Sequence, residues 1–179
     1  MKKIIFLFLI SGLNFSCSST KKTVKAAPIE NAKPIDLEQF LTLNNNYFKI
    51  PITKMASGHL QLNASINGIE GNFILDTGAG ATVIDHKRQE KFSMKTQESK
   101  NTGVGAGGQT SLQQSLDNSF KIGKLEMPKF LLYVMNLNHV NNAFILMGLK
   151  EVDGVIGADI LTSNKAIIDY TNLTLYMKK

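Results

Sequence analysis

The sequence feature that most constrains the fold is a hairpin signal that ends in a carboxylate. From Leu60 to Ile66, apolar and polar residues alternate with the period of two typical of a half-buried β-strand. Asn67-Gly68 follows, and this dipeptide favours a two-residue turn because both of its residues tolerate positive φ angles. The chain then returns through an apolar run to Leu75 and continues into Asp76. We therefore expect two antiparallel strands with Asp76 at the end of the second.

Further short strands are predicted along most of the remaining chain. Their signals are short apolar runs bounded by turn residues, which together indicate a mostly-β, barrel-like domain. The other predicted strands are Tyr47–Thr53, those on either side of the Gly123-Lys124 turn, Phe130–Leu137, Lys165–Asp169 and Leu173–Met177. One short helix is predicted over Val83–Phe92.

The N-terminus reads as a secretion signal. Met1-Lys2-Lys3 is positively charged, and the apolar run Ile4–Ile10 is too short to span a bilayer. The only cysteine of the chain, Cys17, follows the small residue Ser16, as in a bacterial lipoprotein signal, although Asn14 departs from the usual leucine. This resemblance implies a signal peptide at residues 1–16 and lipidation at Cys17. A plain secretory signal is the alternative.

A lipid at Cys17 would make the membrane a partner through an anchor, without a membrane-spanning segment. The protein would then lie in the cell envelope, on the periplasmic side or at the cell surface. Residues 17–40 are rich in Ser, Thr, Lys, Ala and Pro and predict a flexible tether. Residues 41–179 form the predicted folded domain.

The charge distribution argues against a nucleic-acid partner. The formal net charge is +6, but from Ile35 onward there are 14 basic and 13 acidic residues. The basic excess therefore belongs to the N-terminal segment, and a nucleic-acid partner for the folded part loses its main support. His59, His86 and His139 are scattered without metal-ligand spacing, so no metal site and no cofactor are predicted.

Small residues surround Asp76 in the motif Asp76-Thr77-Gly78-Ala79-Gly80. A buried carboxylate is costly unless it is paired, hydrogen-bonded or protonated, so this site requires compensation. Gly78 allows the backbone to turn and approach the carboxylate closely. Thr77 can bury its hydroxyl and donate a hydrogen bond across to a partner loop.

A second segment, Gly154–Leu161, lies about eighty residues later and has the sequence GVIGADIL. The two segments together resemble the signature of retropepsin-type aspartic proteases of the bacterial, membrane-tethered kind, over roughly residues 45–179. The resemblance implies a small closed β-barrel with one or two short helices. It also implies a peptide or protein substrate, with Asp76, Thr77 and Gly78 as catalytic residues.

In that family two aspartates share one water and one proton, since two like charges at such short range cannot both ionise. This chain has one Asp-Thr-Gly motif, and Asp117, Asp153, Asp159 and Asp169 lack its context. The resemblance therefore implies a homodimer in which each protomer contributes Asp76. Asp159 is expected to cap a helix or brace the dimer. A non-catalytic peptide-binding module on the same fold is the alternative function.

The glycine-rich stretch TGVGAGGQT offers a competing interpretation. Gly103, Gly105 and Gly108 satisfy the dinucleotide-binding pattern, but that site needs a strand before it and a helix after it, and neither is indicated here. In the family, a mobile flap that closes on the peptide lies between the two motifs. Gly103, Gly105, Gly107 and Gly108 fit that substrate-binding role, and a surface loop without function remains open.

Overall fold

The computed structural model of the protein describes residues 36–105 and 108–178. The predicted signal peptide, the lipidation site Cys17 and Gly107 of the predicted flap lie outside these residues and remain predictions. Within the described ranges, none of the helices is long and apolar enough to cross a membrane.

The described chain is mostly β. Three short helices and one 3-10 turn interrupt eleven strands. The helices are α1 (Leu37–Asn44), α2 (Asn138–Leu146) and α3 (Ala158–Ser163), and the 3-10 turn is His86–Arg88. The strands are β1 (Tyr47–Pro51), β2 (Thr53–Lys54), β3 (Leu60–Ile66), β4 (Ile69–Leu75), β5 (Val83–Asp85), β6 (Thr96–Gly105), β7 (Gly108–Ile122), β8 (Leu125–Met135), β9 (Gly154–Ile156), β10 (Ile167–Asp169) and β11 (Thr174–Lys178).

Six of the strands form a closed barrel, in the ring order β3, β4, β9, β5, β8, β7. The ring closes where β7 returns to β3 through the pairs Ser65↔Lys121 and Ile66↔Phe120. The pairs β4–β9 and β5–β8 are parallel, and the others are antiparallel. Strands β2 and β6 extend the sheet beyond the ring. The predicted mostly-β, closed-barrel fold is confirmed.

Strands from near the two ends of the domain build a second, three-stranded sheet. Its order is β1, β11, β10, and all of its pairs are antiparallel. The predicted final hairpin is therefore present as β10 and β11, and β1 joins it from the other end of the domain.

The hairpin predicted around Asn67-Gly68 is confirmed in detail. Asn67 and Gly68 both have positive φ angles, of 52° and 82°. Strand β3 buries alternate residues, as its sequence period requires. On β4, Phe73 and Leu75 point into the barrel core. Ile74 points the other way and packs beneath Phe144 of α2.

The helix predicted over Val83–Phe92 is wrong. Val83–Asp85 is a strand that pairs with both β8 and β9, and only His86–Arg88 forms a single 3-10 turn. Buried Ile84 fills the barrel, and this tertiary pairing overrides the local sequence pattern.

Two helices were not predicted. The first, α1, begins inside the stretch assigned to the tether. The second, α2, has a sequence rich in asparagine, which is a weak helix former. Buried Asn141 holds α2 in place because its side chain bonds both main-chain groups of Val152.

Candidate active site

Asp76 lies immediately beyond the end of β4, where the strand leaves the barrel wall. Its backbone N–H donates to the carbonyl of Ile156 on β9 at 3.0 Å, which continues the parallel β4–β9 pairing by one step. Its Oδ1 atom accepts a hydrogen bond of 2.8 Å from the N–H of Gly78. A Cβ atom at position 78 would lie 3.2 Å from that same oxygen. The expected close approach of Gly78 to the carboxylate is thus present.

The loop that carries Asp76 is held from behind by the segment after β9. The N–H of Ala158 donates to the carbonyl of Ala79 at 2.7 Å. A Cβ atom at Gly157 would lie 2.6 Å from the carbonyl carbon and oxygen of Ala81. Since real side chains do not approach a backbone that closely, this crossing requires glycine. The second motif therefore passes behind the first and leads into the short helix α3.

A buried threonine joins the two motifs. Thr82 donates its hydroxyl to Oδ1 of Asp159 at 2.7 Å, and its N–H donates to Oδ2 at 2.9 Å. The same hydroxyl accepts from the N–H of Gly157 at 3.1 Å. Asp159 therefore holds the loop that carries Asp76 in place. The N-cap residue of α3 is Gly157 and not Asp159. Thr82 was not predicted from the sequence, although its place just after the small residues Gly80 and Ala81 is a usable signal.

In the single chain, Asp76, Thr77 and Gly78 are all exposed to solvent. The expectation that Asp76 is buried is wrong for the monomer, because β4 ends at Leu75 and the loop rises to the surface. The Thr77 side chain is also exposed, and it makes no hydrogen bond within residues 36–105 and 108–178. The carboxylate thus faces outward from a rigid base.

A shallow depression lies beside Thr77. It has a volume of about 370 Å³ and is bordered mainly by small and apolar residues, namely Thr77, Ala158, Leu161, Thr162, Lys165, Ala166 and Ile168. A larger depression of about 900 Å³ lies against β3 and β4, and Asp76 is not among its lining residues. We place the candidate site at Asp76 because the chemistry of the carboxylate, not the volume of a cavity, defines it.

The other carboxylates of interest are occupied elsewhere. Asp153 lies 2.7 Å from the Lys91 ammonium and accepts from the N–H of Asn72 at 2.8 Å. Asp85 is fully buried and accepts from the Asn141 amide at 2.9 Å. Within the described ranges, no cluster of three potential metal ligands occurs. Neither Asp153 nor Asp159 is free to pair with Asp76 within one chain.

The glycine-rich stretch forms the end of a long hairpin. Gly103 pairs with Thr110, and Gly105 pairs with Gly108. A strand follows the glycines where a nucleotide site would require a helix, so the dinucleotide interpretation is wrong. A glycine-bearing hairpin between the two motifs is present, as the flap hypothesis expects. Its contact with substrate remains a prediction.

The family model described as aspartyl protease matches residues 62–160, which is more than half of the chain. The chain belongs to the aspartyl protease family. The match begins in β3 and ends in α3, so it contains Asp76, the hairpin of β6 and β7, and the crossing at Gly157.

Solved structures show the fold of this chain independently. A retropepsin-like aspartic protease from Rickettsia conorii is similar with a TM-score of 0.54 and 24% identity, over 73% of this chain and 92% of that chain. The EIAV protease, solved in complex with the inhibitor HBY-793, has a TM-score of 0.50 and 17% identity, over 65% and 98% of the two chains. No curated protein matches the sequence. At these identities the likeness concerns the fold, which is the predicted retropepsin-like barrel.

Proposed function

We propose that the protein is an aspartic endopeptidase that acts as a homodimer, with Asp76 of each protomer forming one catalytic pair. The observation that carries the proposal is the position of Asp76 in the single chain. The carboxylate is exposed, yet its loop is fixed by β9, Gly157 and the Thr82–Asp159 clamp. A second copy placed against this surface would supply the missing carboxylate, and the pair would be enclosed on association.

The proposed chemistry uses one bound water. One Asp76 carboxylate takes a proton from the water as the water oxygen attacks the carbonyl carbon of the peptide bond. The other Asp76, protonated, donates its proton to the carbonyl oxygen. The tetrahedral intermediate then collapses as the C–N bond breaks, one hydroxyl proton returns to a carboxylate, and the leaving amine is protonated. The two carboxyl groups share one proton because both cannot be ionised at such short range.

Two features of the described structure support this arrangement. The depression beside Thr77 offers a small, mainly apolar surface next to the carboxylate that a second copy could cover. The other carboxylates near the motifs are held by their own partners, so a pair within one chain lacks a candidate. In the dimer, Thr77 would donate its hydroxyl across to the partner loop.

Lipidation of Cys17 and a position in the cell envelope complete the proposal, and they rest on the N-terminal sequence alone. In this arrangement the tether holds the dimer near the membrane, where extended segments of envelope proteins or peptides are the substrates. The hairpin of β6 and β7 would close over the bound segment as a flap, with its glycines permitting the movement.

The test is cleavage of a defined mixture of extended peptides by the full-length protein and by Asp76→Asn, with products identified by mass spectrometry. We expect cleavage by the wild type and none by Asp76→Asn, because the amide cannot take the proton. Asp117→Asn, a change at an exposed carboxylate on β7, is the matched control and should leave cleavage intact. Peptide binding without cleavage in all three proteins would favour the non-catalytic binding module instead.

A further inference from the structure

An apolar stripe runs along the exposed side of α1. Leu37, Phe40 and Leu43 are 40%, 47% and 72% exposed, and they follow one another at a spacing of three residues. Residues three apart on a helix are neighbours on its surface, so the three side chains form one continuous stripe. Leu41 is buried, so one side of α1 packs on the domain while the stripe stays open to solvent. A single exposed leucine needs no explanation, but a continuous apolar stripe marks an interaction surface.

The charged residue of α1 points away from the stripe. Each residue turns the helix by about 100°, so Glu38 lies about 160° around the helix from Phe40. The Glu38 carboxylate pairs with the ammonium of Lys49 on β1. The neighbouring acid, Asp36, caps the helix by accepting from the N–H of Gln39 at 3.1 Å. The stripe therefore presents apolar groups with no charge among them.

Hydrogen bonds from side chains define the backbone of this short helix. Thr42 donates its hydroxyl to the carbonyl of Glu38 at 2.7 Å, and Asn45 donates its amide to the carbonyl of Phe40 at 2.9 Å. An isolated helix of eight residues is marginal in water, so these bonds and the burial of Leu41 keep α1 formed. The stripe is therefore already in place, and little chain entropy would be lost when it contacts a partner.

The position of α1 in the chain indicates which partner it meets. It is the first helix or strand that the structure describes, and residues 18–35 separate its N-cap, Asp36, from Cys17. A chain of that length with the predicted tether flexibility has an end-to-end distance of roughly 25 Å. With the proposed lipid on Cys17, α1 would therefore be held at a high local concentration beside the bilayer.

The charge of the segment before α1 favours a bilayer that contains anionic lipids. Residues 18–35 include one acid and four lysines, namely Glu30, Lys21, Lys22, Lys25 and Lys33. Basic residues beside a membrane are attracted to anionic headgroups. An apolar helix face together with basic residues is the combination by which interfacial helices bind bilayers. A second copy of the chain would bring the same positive segment, so the charge favours lipid over another copy as the partner of the stripe.

We propose that α1 docks on the membrane surface, with Leu37, Phe40 and Leu43 inserted among the lipids of a bilayer that contains anionic headgroups. Docking goes beyond the proposed catalysis, and it rests on the proposed lipid anchor only for its local concentration. The helix adds a second attachment point to the anchor, so the domain takes one orientation on the membrane. Leu43 is the most exposed of the three and contributes most to the contact.

The first experiment measures insertion at single positions. Cys17 is the only cysteine, so full-length Cys17→Ser protein that carries Leu43→Cys has one thiol, to which a fluorophore is attached. Phosphatidylcholine vesicles with about one third phosphatidylglycerol are added to saturation, because docking without the lipid anchor is weak and reversible. Spin-labelled lipid in the vesicles quenches a fluorophore that lies inside the bilayer. The matched control is a label at Leu146→Cys, since Leu146 on α2 is 88% exposed.

We expect spin-labelled lipid to lower the fluorescence at position 43 about twofold or more and to leave position 146 unchanged. Quenching reports only the labelled position, so vesicle binding by another part of the chain does not imitate it. Phe40→Ser should raise the lipid concentration for half-maximal quenching at position 43 by about fivefold, because less apolar surface is buried. Gln39→Ser, outside the stripe, should leave that concentration unchanged. Vesicles of phosphatidylcholine alone should also weaken the quenching.

The lipid anchor is tested separately, by mass spectrometry of the protein with Cys17 intact. If no lipid is found on Cys17 but position 43 is quenched, the anchor fails and the docking of α1 stands. Peptide cleavage does not enter either measurement, so failure of the proposed catalysis leaves the docking result unaffected.

Three results would overturn the docking of α1. One is the absence of quenching at position 43 with saturating vesicles, and another is equal quenching at positions 43 and 146. The third is dissociation of Leu43→Ser into monomers, by sedimentation velocity without vesicles, under conditions in which wild type is a dimer. That result would assign the stripe to the contact between copies.

Discussion

The close approach of Gly157 to the backbone of the Asp76 loop can be tested sharply, because it depends on the absence of a side-chain methyl group at position 157. Gly157 has φ −98° and ψ −177°, an extended conformation that alanine adopts without strain. Any cost of Gly157→Ala must therefore come from space. The new Cβ would lie 2.6 Å from the Ala81 carbonyl atoms and 2.8 Å from the Ala79 carbonyl oxygen. All of these are backbone atoms, so no flexible side chain can move aside.

The magnitude follows from these contacts. Forcing a methyl group into a packed site costs about 1–3 kcal/mol. Displacing the loop also weakens the hydrogen bond from Ala158 to Ala79, which contributes about 1 kcal/mol. We expect the free energy of unfolding to fall by roughly 2–4 kcal/mol, which corresponds to a melting temperature lower by about 10 °C for a domain of this size. Cleavage should fall by about 100-fold if the carboxylate moves by about 1 Å.

The measurement is urea denaturation of the full-length protein followed by circular dichroism, together with peptide cleavage below the transition. Gly80→Ala is the matched control for stability, because a Cβ atom there meets nothing within 4 Å. It should change the free energy of unfolding by less than about 0.5 kcal/mol. If Gly157→Ala unfolds at the same urea concentration as Gly80→Ala and cleaves peptides normally, the account of the crossing is wrong.

Four further outcomes are expected. Activity per protomer should fall on dilution, and excess Asp76→Asn mixed with wild type should suppress it through inactive heterodimers; full activity of a monomer at high dilution would contradict the shared site. Thr82→Val should lower the free energy of unfolding, measured in urea, by about 1–3 kcal/mol. The reason is that Asp159 loses the donated hydroxyl hydrogen bond and the buried N–H of Gly157 loses its acceptor. Burial raises the pKa of Tyr176, so the contribution of this side chain to the free energy of unfolding should be fully present below the ordinary tyrosine pKa of about 10 and should be lost as the pH rises further. In Tyr176→Phe the loss of stability at alkaline pH should be smaller, and melting temperatures measured against pH would reveal it. Cys17→Ser should move the protein from the membrane fraction to the soluble fraction, and retention on membranes would argue against the lipid anchor.

The sequence predicted best where local signals and the tertiary structure agree. Asn67-Gly68 set both the turn and the register of β3 and β4, because a two-residue loop leaves little freedom in pairing. The second motif was found for a similar reason, since its glycines are required by close contacts between backbones. In both cases a short stretch of sequence carries the whole physical constraint.

The failures arose where distant contacts decide the structure. Val83–Asp85 is a three-residue strand that exists because β8 and β9 flank it. The helix α2 depends on buried Asn141, whose partners lie on β5 and beside β9. Strand β6 was not predicted because its polar residues conceal the alternation, and its pairing with β7 carries a register shift between Glu98 and Thr102. None of these contacts can be inferred from neighbours in the sequence.

At the site, the sequence located Asp76 but misjudged its exposure. An apolar strand leading into a carboxylate suggests burial, whereas the loop carries the carboxylate out of the barrel. The clamp between Thr82 and Asp159 joins residues far apart in the chain, so residue types alone could not identify it. Outside the site, the exposed apolar stripe of α1 could not be foreseen, because that helix was not predicted.

The pairing of β1 with β11 has a consequence for synthesis of the chain. Tyr47 lies opposite Lys178, and Pro51 lies opposite Thr174. Strand β1 can therefore pair only once β11 is available. A nascent chain in which β11 has not yet left the ribosome cannot form this sheet. A product that stops before Thr174 would leave β1 and β10 with open edges, which are templates for pairing with other chains. The five residues of β11 therefore cover the edges of β1 and β10 in the folded domain.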